Sequence, residues 1–185
     1  GGGGQGNHAG GAYASGLLRA LGSRSVFNAL SQEKTGDFWV NGHMFGSQTC
    51  HTAEDVHHCD LLLVIGANPW IAHGFPNARD HLNQIRKDPA RKLIVIDPRR
   101  TETAEMADLH LAVRPGTDSF LLGALLATLV RSDRIDHAFI EEHTIGFPEV
   151  RQALLDIPVE EWAAAADISI ADLERCAAMI VAAKA

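Results

Sequence analysis

The chain has 185 residues, of which 46% are hydrophobic and 21% are charged. These proportions are typical of a globular protein with a substantial core, and they argue against a disordered chain. Its formal net charge of -7 argues against nucleic acid and anionic membranes as partners. Three scattered cysteines and the lack of a long apolar run predict a cytoplasmic protein without direct membrane insertion.

The amino-terminal third is rich in glycine, with nine of the 17 glycines in the first 22 residues. A glycine loop followed by apolar residues predicts a helix that ends near Gly22. Residues 29–48 show no clear period, and the pair Asn41-Gly42 predicts a turn within them. A capping arrangement at residues 52–55 predicts a short helix before residue 61.

Two short apolar runs, at residues 61–65 and 92–96, dominate the middle of the chain. Each stops abruptly in polar and turn-forming residues, which is typical of a strand buried on both faces of a parallel sheet. Between them, residues 76–87 fit a helix with Ala78, Leu82 and Ile85 on one face. The chain therefore alternates strand and helix from residue 61 onward.

The alternation continues with a helical turn, an edge strand and an apolar helix, at residues 101–106, 109–113 and 120–130. It predicts an α/β fold: a doubly wound, mostly parallel sheet with helices on both faces. Four later stretches rich in Ala and Glu predict a C-terminal helical appendage, at residues 136–143, 148–155, 159–165 and 169–183. We therefore assign residues 1–135 to an α/β domain and residues 136–185 to a helical extension of that domain.

Three polar motifs follow the predicted strands: Gly66-x-Asn68-Pro69, Asp97-Pro98-Arg99 and Pro115-Gly116-Thr117-Asp118. In open α/β sheets, ligands bind beyond the carboxyl ends of the strands. Glycine allows close approach of the backbone to a phosphate, arginine pairs with phosphate, and aspartate accepts hydrogen bonds from ribose or base.

Each motif also has a purely structural interpretation. The first could be a turn, the second a helix N-cap with solvated arginines, and the third a turn and cap for the next helix. A nicotinamide- or thiamine-dependent enzyme has little support, because the chain has neither a Gly-x-Gly-x-x-Gly motif between a strand and a helix nor a P-loop.

Taken in order, the motifs resemble those of the molybdopterin oxidoreductases of the dimethyl-sulfoxide-reductase superfamily, which includes formate dehydrogenases and nitrate reductases. The resemblance is carried by Asp60, Gly66-x-Asn68-Pro69, His73, Asp97-Pro98-Arg99-x-Thr101-x-Thr103, Asp108-x-His110 and Pro115-Gly116-Thr117-Asp118. It covers residues 60–130 most closely.

The resemblance implies a bis-molybdopterin guanine dinucleotide cofactor that holds molybdenum or tungsten. It implies that Gly66, Ala67 and Asn68 line the pyrophosphate and ribose of one dinucleotide. It also implies that Asp97 and Arg99 lie near a guanosine whose base is covered by Gly116 and Asp118. The opening residues Gln5, Gly6 and Asn7 resemble the family's pterin-side loop.

The family also supplies a protein ligand to the metal, and the corresponding position falls within residues 28–35. No cysteine lies there, and Ser31 is the residue best placed to act as an alkoxide ligand at the catalytic centre. The alternative is that Ser31 only caps a turn.

The resemblance implies a cofactor-binding fragment of an enzyme that oxidises or reduces a small substrate by two electrons. The expected partners are that substrate, an electron-transfer partner and the remaining domains of the parent chain. A 4Fe-4S cluster is expected in the parent outside this chain, and the fragment alone is expected to be inactive. The alternative is a metal-free structural homologue domain of a respiratory complex. Retention of Asn68, Asp97, Arg99 and Asp118 favours a working site.

Overall fold

The computed structural model describes residues 8–25, 27, 32, 34–48, 50, 53–72 and 75–184. The chain divides into two compact units, Gly1–Ala53 and Glu54–Ala185. The domain boundary predicted between residues 135 and 136 stays a prediction, and the division at residue 53 separates the glycine-rich part of the chain from the sheet.

The first unit contains helix α1 (His8–Ala20) and helix α2 (Thr35–Phe45) among its described residues. Helix α1 is followed by Gly22 in a left-handed conformation, so the predicted end of the first helix is confirmed. The turn predicted at Asn41-Gly42 is wrong, because both residues lie inside α2. Asn-Gly is a strong turn signal between strands, whereas here helical neighbours such as Trp39 and His43, with ring centroids 4.2 Å apart, pack at a spacing of four residues.

The second unit is built on a parallel sheet of strands β1 (Leu61–Ile65), β2 (Lys92–Ile96) and β3 (Leu109–Leu111). The strands lie in the order β1-β2-β3, and the register pairs Leu61 with Lys92 and Ile94 with Leu109. The predicted parallel sheet is confirmed, with β3 two residues shorter than its apolar alternation indicated.

The remaining helices of the second unit follow the predicted pattern closely. They are α3 (Ala78–Lys87), a 3-10 turn (Ala104–Met106), α4 (Asp118–Arg131), α5 (His137–His143), α6 (Phe147–Leu155), α7 (Val159–Ala165) and α8 (Ile170–Ala182). The helix predicted before β1 is wrong for residues 53–60, where the chain forms only a turn. The Arg91 guanidinium donates to the backbone carbonyls of Val56 and Cys59, which holds this segment as an irregular loop.

Alternate residues of each strand point to opposite faces of the sheet, and helices pack against both of these faces. Leu93 and Val95 pack with Leu82 and Ile85 of α3 in one buried cluster. A larger cluster on the other face joins residues of β2 and β3 to inner residues of α4, α7 and α8. Its members include Ile94, Ile96 and Leu109 of the strands, and Leu121, Leu125, Ala163, Leu173 and Cys176 of the helices. The predicted α/β architecture with helices on both faces is therefore confirmed.

Burial in the larger cluster raises the pKa of the Cys176 thiol to about 11, because desolvation disfavours the thiolate. Across the described helices, none combines the length and the apolar character that crossing a bilayer requires.

Candidate functional site

The loops that follow the three parallel strands leave the same edge of the sheet. The backbone N–H of Gly66 donates to the carbonyl of Ile96 over 2.9 Å, and that of Asp97 donates to Leu111 over 3.1 Å. These bonds continue the strand ladder one residue past β1 and β2 and fix where the loops begin. Gly66 has a φ of 60°, and its α-carbon faces open space where a side chain would otherwise stand. The exposed backbone of Gly66 and Ala67 is therefore accessible to a ligand.

The Asn68 side chain connects the loop after β1 to the loop after β2. Its Oδ1 accepts a hydrogen bond from Thr103 Oγ1 over 2.7 Å, and its Nδ2 donates to Glu102 Oε2 over 2.7 Å. The Asn68 carbonyl also accepts from the amides of Ile71 and Ala72 at 3.0 and 2.8 Å, so the segment forms a turn as well. The structural and the ligand-binding interpretations of this motif are compatible.

Asp97 and Arg99 form a compact turn at the end of β2. Asp97 Oδ1 accepts from the Arg99 backbone N–H over 2.8 Å, and the carbonyl of Asp97 accepts from His110 Nε2 over 2.8 Å. Asp97 is therefore not a helix cap, because the next helical turn begins only at Ala104. The Arg99 side chain is 71% exposed and its Nη2 lies 3.9 Å from Glu102 Oε2, which leaves the guanidinium accessible to an anion.

Glu102 lies between Asn68 and Arg99, and its ionised form is favoured there. Its pKa is held below the ordinary value by a hydrogen bond from its own backbone N–H, then by the Asn68 amide and by the Arg99 charge. The carboxylate therefore remains an acceptor for Asn68 at neutral pH.

Gly116 and Asp118 stand where the chain enters helix α4. Gly116 has a φ of 81°, and Asp118 is the first residue of α4. Of the predicted alternative of a turn and a cap, the turn is formed, since the Thr117 backbone N–H donates to the Arg114 carbonyl over 3.1 Å. The side-chain cap is not formed, and the Thr117 hydroxyl donates to the same carbonyl over 2.7 Å. Within the described part of the chain, the Asp118 carboxylate has no hydrogen-bond or ion-pair partner, so it is available to a ligand.

The structure joins some of the predicted site residues and leaves others apart. Asn68 and Arg99 meet through Glu102, whereas Asp118 has no direct bond to Asn68 or Asp97 among the residues the structure describes. Four further predicted residues lie outside the described residues: Gln5, Gly6 and Asn7 of the opening loop, and Ser31, the predicted metal ligand. Their roles stay predictions.

Sequence reasoning assigned no role to a second group of residues at this edge. Arg79 donates from Nε to the Trp70 carbonyl over 2.7 Å, and its guanidinium carbon lies 5.5 Å from the Trp70 ring centroid. Trp70 and Arg79 line an open cavity of about 430 Å³, and Pro69, which directly follows Asn68, lines it as well. The sequence gives little sign of this contact, because Arg79 lies in α3, nine residues after Trp70, and its partner depends on how α3 packs.

Comparisons with known proteins give a consistent result. The family model described as molybdopterin oxidoreductase matches residues 1–183. A nitrate reductase of Synechocystis sp. is 39% identical over 71% of this chain and 18% of its own length. Formate dehydrogenase H of Escherichia coli is 32% identical over 70% of this chain and 18% of its own length.

Among solved structures, acetylene hydratase from Pelobacter acetylenicus is similar with a TM-score of 0.71 and 26% identity. The similarity covers 88% of this chain and 22% of that one. The chain thus spans a quarter or less of the length of the first curated relatives it matches.

Proposed function

The chain belongs to the molybdopterin oxidoreductase family, and from that membership we propose that it holds a bis-molybdopterin guanine dinucleotide within a larger enzyme. The family implies a pterin cofactor with molybdenum or tungsten. The proposal goes beyond family membership in three respects: the guanine dinucleotide form of the cofactor, the reaction and the partners. A cytoplasmic location, expected from cysteine usage, is also part of it.

The observation that carries the proposal is the set of groups at the carboxyl edge of the sheet. Gly66 offers exposed backbone in the loop after β1, and Arg99 offers an accessible guanidinium in the loop after β2. The Asp118 carboxylate, at the first residue of the helix that follows β3, has no partner among the described residues. Amides and arginine suit a pyrophosphate, and a carboxylate suits the paired N–H donors of a guanine edge. The amides, the guanidinium and the carboxylate at this edge therefore suit the phosphates and the base of a guanine dinucleotide.

We assign the roles accordingly. Gly66, Ala67 and Asn68 line the pyrophosphate and ribose, and Arg99 adds a positive charge beside a phosphate. The Asp97 Oδ1 is engaged by the Arg99 backbone N–H, which leaves its second oxygen to accept from a ribose or base. Gly116 and Asp118 cover the guanine. Gln5, Gly6 and Asn7 contact the pterin side, and Ser31 is the proposed protein ligand to the metal.

When bound, the metal–pterin group supplies the two-electron chemistry, and the chain's own residues bind it, orient it and tune the charge around it. We propose that the parent oxidises or reduces a small substrate and passes electrons through a 4Fe-4S cluster outside this chain to an electron-transfer partner. Two relatives are named a nitrate reductase and a formate dehydrogenase, which supports a redox reaction. A structural neighbour is named a hydratase, so the two-electron reaction is a separate part of the proposal from the identity of the cofactor.

The decisive experiment is a chemical analysis of the purified full-length parent. Molybdenum and tungsten are measured by elemental analysis, the pterin by the fluorescence of its oxidised form, and the nucleotide by GMP released on acid hydrolysis. We expect near-stoichiometric metal and about two GMP per metal atom, because the proposed cofactor has two dinucleotides. Pterin without GMP would contradict the dinucleotide form, and absence of both metal and pterin would support a metal-free structural homologue.

A further inference from the structure

Thr103 has an unusual environment for a polar side chain. It is fully buried, and its hydroxyl lies in the core beneath the loop after β1. Oγ1 accepts from the backbone N–H of Trp70 over 3.2 Å and donates to Asn68 Oδ1 over 2.7 Å. Both bonds reach back more than thirty residues along the chain, so this hydroxyl ties two loops together.

The network also fixes the orientation of the Asn68 amide. The Thr103 hydroxyl accepts from the Trp70 amide and donates its single proton to the carbonyl oxygen of Asn68. The amide nitrogen of Asn68 faces the Glu102 carboxylate. An ionised carboxylate has no proton to donate, so it acts as the acceptor of this bond. A reversed amide would place the Asn68 carbonyl oxygen against the Glu102 carboxylate, which sets two acceptors against each other with no proton between them.

Glu102 extends the network toward the charged rim. One of its oxygens, Oε2, accepts from Asn68 over 2.7 Å and lies 3.9 Å from Arg99 Nη2. The chain of contacts therefore runs from the Trp70 amide through Thr103, Asn68 and Glu102 to Arg99. It links a backbone segment beside the 430 Å³ cavity to the guanidinium at the end of β2.

We propose that Thr103 and Glu102 are positioning residues: their hydrogen bonds clamp the side chain of Asn68 and so set the spacing between the loop after β1 and the loop after β2. The inference rests on the proposed function and deepens it, because it gives Asn68 a second task besides facing the ligand. Two phosphate-binding groups on separate loops bind one pyrophosphate together only if their separation is held. The clamp supplies that rigidity before the ligand arrives, so less order has to be gained on binding.

The test replaces Thr103 in the full-length holoenzyme by valine, which keeps the shape of the side chain and removes the hydroxyl. Two quantities are measured: the half-time of pterin loss on dilution, and hydrogen exchange of the peptide that contains the Trp70 amide. We expect Thr103→Val to shorten the half-time about tenfold and to speed exchange at Trp70. Thr103→Ser restores the hydroxyl and is expected to return both values close to wild type.

The matched control is Thr128→Val. Thr128 is also buried, and its hydroxyl donates to the Ala124 carbonyl within α4, so this variant loses a core hydrogen bond without touching the two loops. A second variant, Glu102→Ala, removes the acceptor of Asn68 from a side chain that is 44% exposed, which avoids damage to the core. We expect it to shorten the half-time severalfold.

The outcomes separate the inference from the function on which it rests. Wild-type protein without pterin would overturn the proposed function and the positioning role with it. Loaded wild type together with equal pterin loss from Thr103→Val and Thr128→Val would overturn the inference alone, because the effect would then be general loosening. Faster loss from Thr103→Val and Glu102→Ala, with Thr103→Ser and Thr128→Val unaffected, supports it.

Discussion

The two edges of the sheet in the second unit use polar side chains in different ways. At the amino edge, charged groups hold the backbone: Arg91 donates to the carbonyls of Val56 and Cys59, and Asp108 accepts from the Leu93 amide over 2.9 Å. At the carboxyl edge, the Arg99 guanidinium and the Asp118 carboxylate are left largely unengaged by the described protein residues. Charges at the first edge stabilise the fold, and charges at the second remain available for a ligand.

Cavity size alone would have pointed to the other edge. A cavity of about 500 Å³ lies at the amino edge and is lined by Asp60, Lys92 and Arg175 among others, against about 430 Å³ beside Trp70. Two cations at the larger cavity are already engaged: Lys92 Nζ lies 3.1 Å from Asp108 Oδ1, and Arg175 donates to the Asp108 carbonyl over 2.8 Å. The hydrogen bonds and ion pairs of the polar groups therefore distinguish the two edges better than the volumes of the two cavities do.

The largest effect on stability is expected from Arg91→Ala at the amino edge. The variant removes charge-assisted hydrogen bonds to two carbonyls, one of them belonging to the buried Val56, and we expect the free energy of unfolding to fall by about 3 kcal/mol. Chemical denaturation of the parent measures it, with the exposed Arg86→Ala as control. Unchanged stability would mean that this edge is not a structural one.

The next effect is expected from Arg99→Ala at the carboxyl edge. Because the guanidinium is 71% exposed and its ion-pair contact among the described residues is 3.9 Å from Glu102, the denaturation midpoint of the cofactor-free protein should stay unchanged. Pterin retention should fall about tenfold through loss of a charge-assisted phosphate contact, which corresponds to about 1.4 kcal/mol. The neighbouring exposed Arg100→Ala is the control, and equal losses from both variants would contradict a specific role for Arg99.

A smaller effect is expected from Asp108→Asn. Asparagine can still accept from the Leu93 amide, so the change removes mainly the ion pair with Lys92, whose side chain is 45% exposed. We expect a loss of at most about 1 kcal/mol in the free energy of unfolding, and less at high salt. Retention of pterin should not change, and a loss of pterin equal to that of Arg99→Ala would erase the difference between the two edges.

The smallest effect concerns the pH dependence of Glu102. Its folded-state pKa is lowered from 4.5 by its own backbone N–H and by Asn68, so its contribution to stability is present above about pH 4.5 and is lost as the pH falls through the lowered pKa. The difference in denaturation midpoint between wild type and Glu102→Gln should therefore shrink below pH 4.5. Glu105→Gln, an exposed neighbour, is the comparison variant, and an identical pH dependence in both would count against the clamp.

Much of the second unit could be predicted because its signals are local. The apolar runs at β1 and β2 and the helical periodicity from α3 to α8 are properties of neighbouring residues, and the observed bounds follow them within about two residues. The segment before β1 was mispredicted because Arg91, more than thirty residues later, holds its carbonyls. Helix α2 was not predicted because an Asn-Gly pair usually indicates a turn. In this chain Asn41-Gly42 lies inside a helix in which neighbouring side chains such as Trp39 and His43 pack against each other.

The sequence by itself determined which residues follow the strands, and the rule that parallel strands end at one edge was enough to group Gly66, Asn68, Asp97 and Arg99. Only the tertiary structure decided which of these side chains are engaged and by what. The clamp formed by Thr103, Asn68 and Glu102 depends on the register of β1 against β2, which brings residues about 35 positions apart within hydrogen-bond distance. Periodicity and turn chemistry act over a few residues, so contacts of this kind are decided by packing.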